Sequence, residues 1–377
     1  MSTSHAVCIR TSFVTPWVAA CLLTVPGALA QPYGSPLPGL TADELVQFEL
    51  GRAAFATDFT PAEGLGPLFE DTSCGGCHSS PATGGGSTQL LVYLGTPDGE
   101  PLIWPTSGVL EGCEPELPDG ASEAPHITSP AFGAGFVDAI PDAAIMSLAD
   151  PDDADGDGIS GRAQLVVALE DPLGPPRAGR FGHKAQGPTL LSFSAVMLRD
   201  VLGITNGLLP TELDPSLPPA CDAVADPEDA PDASGVDSLQ RMTDFQRLLA
   251  APPQWPPQGT LPGEAIFEQI GCATCHVPAW TTGPSDHPAL ANQVFHPYGD
   301  WLVHDIGTGD GLASAAAGGN EMRTAPLWGL RHRAQYMHHG CVSLRALQTI
   351  TFTFSNGFRH GGPISSIWRR SWRTSTS

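Results

Sequence analysis

The chain has 377 residues, a length that anticipates two domains. Its 40 acidic and 17 basic residues leave a formal net charge of −23, which repels a phosphate backbone and excludes nucleic acid as a partner. Hydrophobic residues at 41% suffice for a packed core, while 43 Gly and 38 Pro anticipate long loops between few elements.

Residues 1–30 read as a secretory signal peptide. Arg10 precedes an apolar run from Phe13 to Leu29, which closes on the small-residue pattern Ala28-Leu29-Ala30. Pro16, Pro26 and the short length argue against a membrane anchor, so the protein is expected to be exported, periplasmic or beyond, and not membrane-spanning. Cleavage near Ala30 removes Cys8 and Cys21 and delivers the other cysteines to an oxidising compartment.

Residues 31–260 are expected to form an N-terminal unit. Thr41-Ala42-Asp43-Glu44 has the hydroxyl and carboxylate of a capping box, and Leu45, Phe48 and Phe55 follow at helical spacing. A turn leads to Cys74-Gly75-Gly76-Cys77-His78. Residues 80–125 are loop-like apart from a strand-like run at 90–93. An apolar segment covers 131–148, 186–203 read as helical and 211–235 as a linker. Leu239, Met242, Phe245 and Leu249 mark another helix. The proline-rich stretch 252–262 is the expected boundary. Residues 261–340 then repeat the earlier order, a short helix with a Phe followed by Cys272-Ala273-Thr274-Cys275-His276. The tail, 341–377, carries five arginines and no carboxylate, and reads as an atypical end, frameshifted or truncated, or as a natural insertion leading to His360.

Cys-x-x-Cys-His is the pattern of c-type haem attachment, with two thiols to bond the porphyrin and the adjacent His to face the iron. The alternative is a four-cysteine zinc site, but zinc requires neither the His after each pair nor a separation of about 200 residues. Two c-type haems are therefore expected, on Cys74, Cys77 and His78 and on Cys272, Cys275 and His276. No His or Met stands between His78 and His126, so the first iron is expected to be open or ligated from far along the chain. Distal candidates are His126, Met337 and His360, with His183 also in view. Met337 could equally fill core.

Several stretches resemble the bacterial di-haem oxidoreductase family, distant relatives of the di-haem cytochrome c peroxidases. They are Asp157-Gly158-Ile159-Ser160-Gly161-Arg162, residues 179–186 (GRFGHKAQ), 202–206 (LGITN), 298–307 (YGDWLVHDIG) and 323–330 (RTAPLWGL). The resemblance spans roughly residues 40–340. It implies a mainly α fold of two cytochrome c-like helical domains with long Gly/Pro-rich loops. One haem would react with peroxide while the other relays electrons. His183 departs from the family's Trp, Ile306 from its Met, and Phe352 occupies a position where the family carries an iron ligand.

Asp153, Asp155 and Asp157 begin a calcium-loop pattern, although Gln164 replaces the closing Glu; a solvated acidic turn is the alternative. Related peroxidases hold calcium between their haems. Cys113 and Cys221 either pair or stand as free thiols. Arg180, His183 and Lys184 are candidate donors to a bound oxygen species, or else ordinary loop residues. The expected function is an exported di-haem oxidoreductase, peroxidase-like, using a peroxide and either an electron-donor protein or a small reductant. The rival expectation is a non-catalytic electron carrier or haem-based sensor.

Overall fold

The computed structural model describes residues 31–95, 100–105, 108–222, 224–254 and 263–342. The signal-peptide segment, most of the tail and His360 lie outside the described residues. In chain order the elements are α1 (Ala42–Phe55), β1 (Leu68–Phe69), α2 (Cys74–Cys77), β2 (Leu90–Gly95), β3 (Leu102–Trp104), β4 (Gly108–Val109), β5 (Ser122–Ile127), α3 (Ala134–Asp138) and α4 (Asp142–Met146). There follow β6 (Leu165–Val166), β7 (Arg177–Ala178), α5 (Leu190–Leu202), α6 (Ser238–Leu248), α7 (Glu264–Gln269), β8 (Trp280–Thr281), β9 (Val294–Phe295), β10 (Val303–Asp305) and β11 (Glu321–Arg323).

The expectation of a mainly α fold of two cytochrome c-like helical domains is overturned. Helix makes up 23% and strand 15%, with seven α-helices and five small antiparallel sheets among the described residues. Only α1, α5 and α6 run past ten residues. Proline is one physical reason. The apolar segment 131–148 is not one helix, because Pro141 has no N–H to continue the ladder; it sits at the N-cap of α4, just after α3 has ended. The largest sheet, β3-β2-β5, pairs Val92 with Trp104 on one side and Leu91 with His126 on the other. No described helix is long and apolar enough to cross a membrane.

The expected capping box forms. The Thr41 hydroxyl accepts from Glu44 N at 3.2 Å, and the Glu44 carboxylate accepts from Thr41 N at 2.8 Å. α1 then packs on α6 through Phe48 and Phe55, whose ring centroids lie 5.3 and 5.0 Å from Phe245. The helices approach so closely at Gly51 that a Cβ there would stand 2.3 Å from Arg241 O. This contact anchors one core cluster, with Leu198, Leu202 and Leu248. A second cluster joins Val137, Ile140 and Ile145 to Trp280, Phe295 and Trp301, drawing on both sides of residue 260.

The stretch 211–235 is tied down rather than free. A disulfide joins Cys221 to Cys113, across 108 residues of sequence. In the chain-entropy picture a loop of that order contributes about 4–5 kcal/mol. The carboxylates of Glu212, Asp222, Asp226 and Glu228 converge beside it, their oxygens within 4.8 Å of one another. Burial, then the charges of Glu228, Asp226 and Asp222, push the Glu212 carboxyl up to about 8. A raised carboxyl favours folding while it is protonated in the native state. That contribution is present below the ordinary carboxylate range and is lost as pH rises towards 8. Glu212→Gln is therefore expected to raise the melting temperature at pH 8 by several degrees and to leave it unchanged at pH 4, read by differential scanning calorimetry. Equal shifts at both pH values would contradict the assignment.

Candidate functional site

The two Cys-x-x-Cys-His segments share one backbone bond, from the His N–H to the carbonyl of the first Cys, on an α-helical turn in the first and a 3-10 turn in the second. At the first, the Ser73 hydroxyl caps α2 by accepting from Gly76 N at 3.2 Å. His78 N then donates to Cys74 O at 2.9 Å. The turn thus puts both thiols and the imidazole on one side, as positions i, i+3 and i+4 require. A Cβ at Gly76 would lie 2.3 Å from the Asp71 carboxylate, so the second glycine lets that loop close against the turn. At the second segment Cys272–Thr274 forms a 3-10 turn, and His276 N donates to Cys272 O at 3.0 Å.

Each imidazole is oriented in the same way. His78 Nδ1 lies 2.9 Å from Gly85 O, and His276 Nδ1 lies 2.9 Å from Tyr298 O. A carbonyl can only accept, so Nδ1 carries the proton and Nε2 keeps its lone pair. Burial lowers the pKa of both rings, partly offset by these backbone acceptors, which favours neutral imidazoles. A phenyl ring from the preceding helix stands beside each: Phe55 at 5.7 Å from His78 and Phe267 at 6.4 Å from His276.

The four cysteines are unpaired. Burial pushes the Cys74 thiol up to about 12. Burial and Asp71 do the same for Cys77, and burial and Asp300 for Cys275; burial also raises Cys272. Two thiols three residues apart beside a Nε2 lone pair fit a covalently attached haem at both places. The second set carries a further sign of fit. Tyr298 Oη and Trp301 Nε1 are buried donors without a hydrogen-bond partner, and both residues hold positive φ, +57° and +66°. Strain of about 1–3 kcal/mol per such residue persists only where the surroundings enforce it.

Most of the other candidates gather in one buried cluster. Asp310 accepts from Lys184 Nζ at 2.8 Å and pairs with His126 Nε2 at 2.9 Å. All three side chains are at most 5% exposed. Burial would raise the Asp310 carboxyl, but the hydrogen bonds from His126 and Lys184 outweigh it and hold the pKa at about 2. Lys184 spends its remaining donors on Glu321 O at 2.8 Å and Gly318 O at 3.1 Å. The His183 ring meets His126 at 4.6 Å with a 57° tilt, and its Nε2 bonds Ile127 O. Burial and the neighbouring His126 drive its pKa well below the ordinary value. Arg180 lies apart from this cluster. It is fully buried and donates to the carbonyls of Val137, Asp138, Ile140 and Ala178 and to Asp142, closing the ends of α3 and α4. Lys184 and Arg180 are thus committed to protein acceptors. Met337, half-buried, turns at φ +66° next to His338, whose ring lies 5.7 Å from His126.

In the acidic loop the structure brings Asp150, Asp153 and Asp155 together, and Asp157 turns aside to accept from Ile159 N. Asp150 and Asp153 accept from the amides of Ala154 and Gly158. The three carboxylates thus serve as caps of their own turn. Sequence reasoning missed Asp310, which sits in a Gly-rich stretch with no periodicity. It also missed Met242, whose Sδ is 3.8 Å from Cys74 Sγ and which read only as a core position of α6.

One protein family, described as "Di-haem oxidoreductase, putative peroxidase", matches residues 119–347, more than half of the chain. The span includes the second Cys-x-x-Cys-His and the Asp310 cluster and begins after the first. No curated protein and no solved structure matches.

Removing the Asp310 carboxylate strands two buried cationic or polar partners. Asp310→Ala is expected to cost about 3–5 kcal/mol in urea denaturation, the range for breaking a buried pair on one side. A loss below about 1 kcal/mol, the size of a surface pair, would show that the cluster does not hold the fold.

Proposed function

The chain belongs to the di-haem oxidoreductase family, and from that premise we propose that it is an exported, peroxidase-like oxidoreductase carrying two c-type haems. Cys74, Cys77 and His78 would hold one, and Cys272, Cys275 and His276 the other. The observation that carries this reading is the shared orientation of His78 and His276, each with Nδ1 turned to a backbone carbonyl and Nε2 left for iron. Such an outer partner fixes the ring and raises its basicity as a ligand. Bound there, haem supplies one-electron chemistry and an iron at which a peroxide can react.

The chain's own residues have simpler tasks. Gly85 O and Tyr298 O hold the Nδ1 protons. Phe55 and Phe267 exclude water from one side of each imidazole. Between the two halves, the His126 and His183 rings are in tilted contact at 4.6 Å, Arg323 N donates to His183 O at 2.8 Å, and the Arg323 guanidinium lies 5.3 Å from the Trp301 ring. We assign electron passage between the sites to this packed ring series. Export is supported by the Cys113–Cys221 disulfide, since such bonds persist in oxidising compartments. The substrate would be a small peroxide, and the reductant a donor protein or a small molecule.

One observation favours the rival, a non-catalytic carrier or sensor. Lys184 and Arg180, expected as donors to a bound oxygen species, are spent on protein acceptors. Two measurements separate the readings. The pyridine haemochrome assay on the mature protein is expected to give two haems per chain, and one after Cys272→Ala with Cys275→Ala; an unchanged count would refute the second attachment site. The EPR spectrum of the oxidised holoprotein is expected to contain a high-spin signal that changes on adding hydrogen peroxide. Two low-spin signals indifferent to peroxide would make the protein a carrier.

A further inference from the structure

A cavity of about 310 Å³ lies between the β3-β2-β5 sheet and one side of α5, away from both Cys-x-x-Cys-His turns. Its walls are largely apolar, including Ile103, Val166, Phe193, Val196 and Met197. Concave, mostly apolar spaces of this size with a few polar groups are the usual form of small-molecule sites.

Two polar side chains of the lining have capacity to spare. Tyr93 is 9% exposed, and its phenol makes no hydrogen bond with any described residue. Asp200 is 8% exposed; its Oδ1 accepts from Arg199 Nε at 2.7 Å, and its second oxygen accepts from no described residue. Burial, then the charges of Asp200 and Asp310, raise the Tyr93 phenol, so it remains a donor. The cavity therefore offers one donor and one acceptor on the same lining, close enough for the Asp200 charge to act on the phenol. The cations of its lining are already neutralised, Lys184 by Asp310 and Arg199 by Asp200. An anionic ligand would find no free positive charge.

We propose that this cavity binds a small uncharged hydroxyarene, a phenol or a hydroquinone, whose hydroxyl donates to Asp200 and accepts from Tyr93 while its ring packs among Phe193, Val196 and Met197. A hydroxyl both donates and accepts, so it satisfies both partners at once. Size agrees, since an apolar cavity of ~150 Å³ already accepts benzene. The proposal stands on the cavity alone and does not depend on haem attachment.

Isothermal titration calorimetry of the mature holoprotein with phenol tests it, with toluene as the ring that lacks the hydroxyl. Phenol is expected to bind at one site per chain, and toluene at least tenfold more weakly. Tyr93→Phe is expected to weaken phenol by about tenfold, the upper range for one hydrogen bond. Val196→Trp, which fills the cavity, is expected to abolish binding. Both variants should keep the circular dichroism and haem absorption of the parent, which separates loss of the site from loss of fold. Toluene binding as tightly as phenol, phenol binding that survives Val196→Trp, or no binding by the parent would each overturn the proposal.

Discussion

The buried carboxylate of Asp310 is the point at which distant parts of this chain are made to agree. It comes from the loop between β10 and β11, yet its partners are His126 on β5 and Lys184 ahead of α5. A carboxylate with 1% side-chain exposure is tolerable only if its charge is matched and its lone pairs are used. Both conditions are met by residues separated from it by more than a hundred positions. Lys184 then reaches past Asp310 to the carbonyls of Gly318 and Glu321, which holds the hairpin itself in register. His126 carries the same constraint into the largest sheet, where it pairs with Leu91. The wall of the cavity and the tilted ring pair of His126 and His183 both inherit their positions from this arrangement.

The two Cys-x-x-Cys-His turns are alike because the same local rules act twice. A short turn places two thiols and one imidazole together, and a carbonyl from elsewhere fixes the ring. The carbonyls have different origins. Gly85 belongs to a loop seven residues downstream, while Tyr298 is 22 residues away and held at positive φ. The first orientation is nearly a property of the segment itself. The second has to be enforced by packing: the Phe267 ring meets Tyr298 edge-on at 5.6 Å, and Trp280 Nε1 donates to the neighbouring Gly299 O at 2.7 Å.

What was legible in the sequence follows from how local each feature is. α1, α5 and α6 were readable because caps and apolar spacing lie within the helix, and the thiol and His sets because their chemistry is written in five consecutive residues. The fold class was not readable. The apolar run 131–148 has helical content, but Pro141 limits it to two five-residue pieces. β5 has the sequence Ser122-Glu123-Ala124-Pro125-His126-Ile127, with no alternation to betray a strand; it exists because β2 offers it an edge. Asp310 lies among glycines, and nothing near it in sequence hints that its charge is needed 184 residues earlier. The resemblance led to the right family but to the wrong architecture, since its motifs fall mainly in turns.

The contrast between the joined Cys113–Cys221 pair and the open Cys74–Cys77 pair bears on how such a chain could be assembled. Exchange of sulfur partners proceeds only through a thiolate. Burial holds the Cys74, Cys77 and Cys275 thiols well above their ordinary pKa, so the thiolate is scarce in the folded chain. Folding thus insulates the reduced pairs kinetically from the oxidised one, even in surroundings that favour cross-linking. Cys272, the least buried of the four, is where that insulation is thinnest. A chain caught before its second half has closed would be open to scrambling there first.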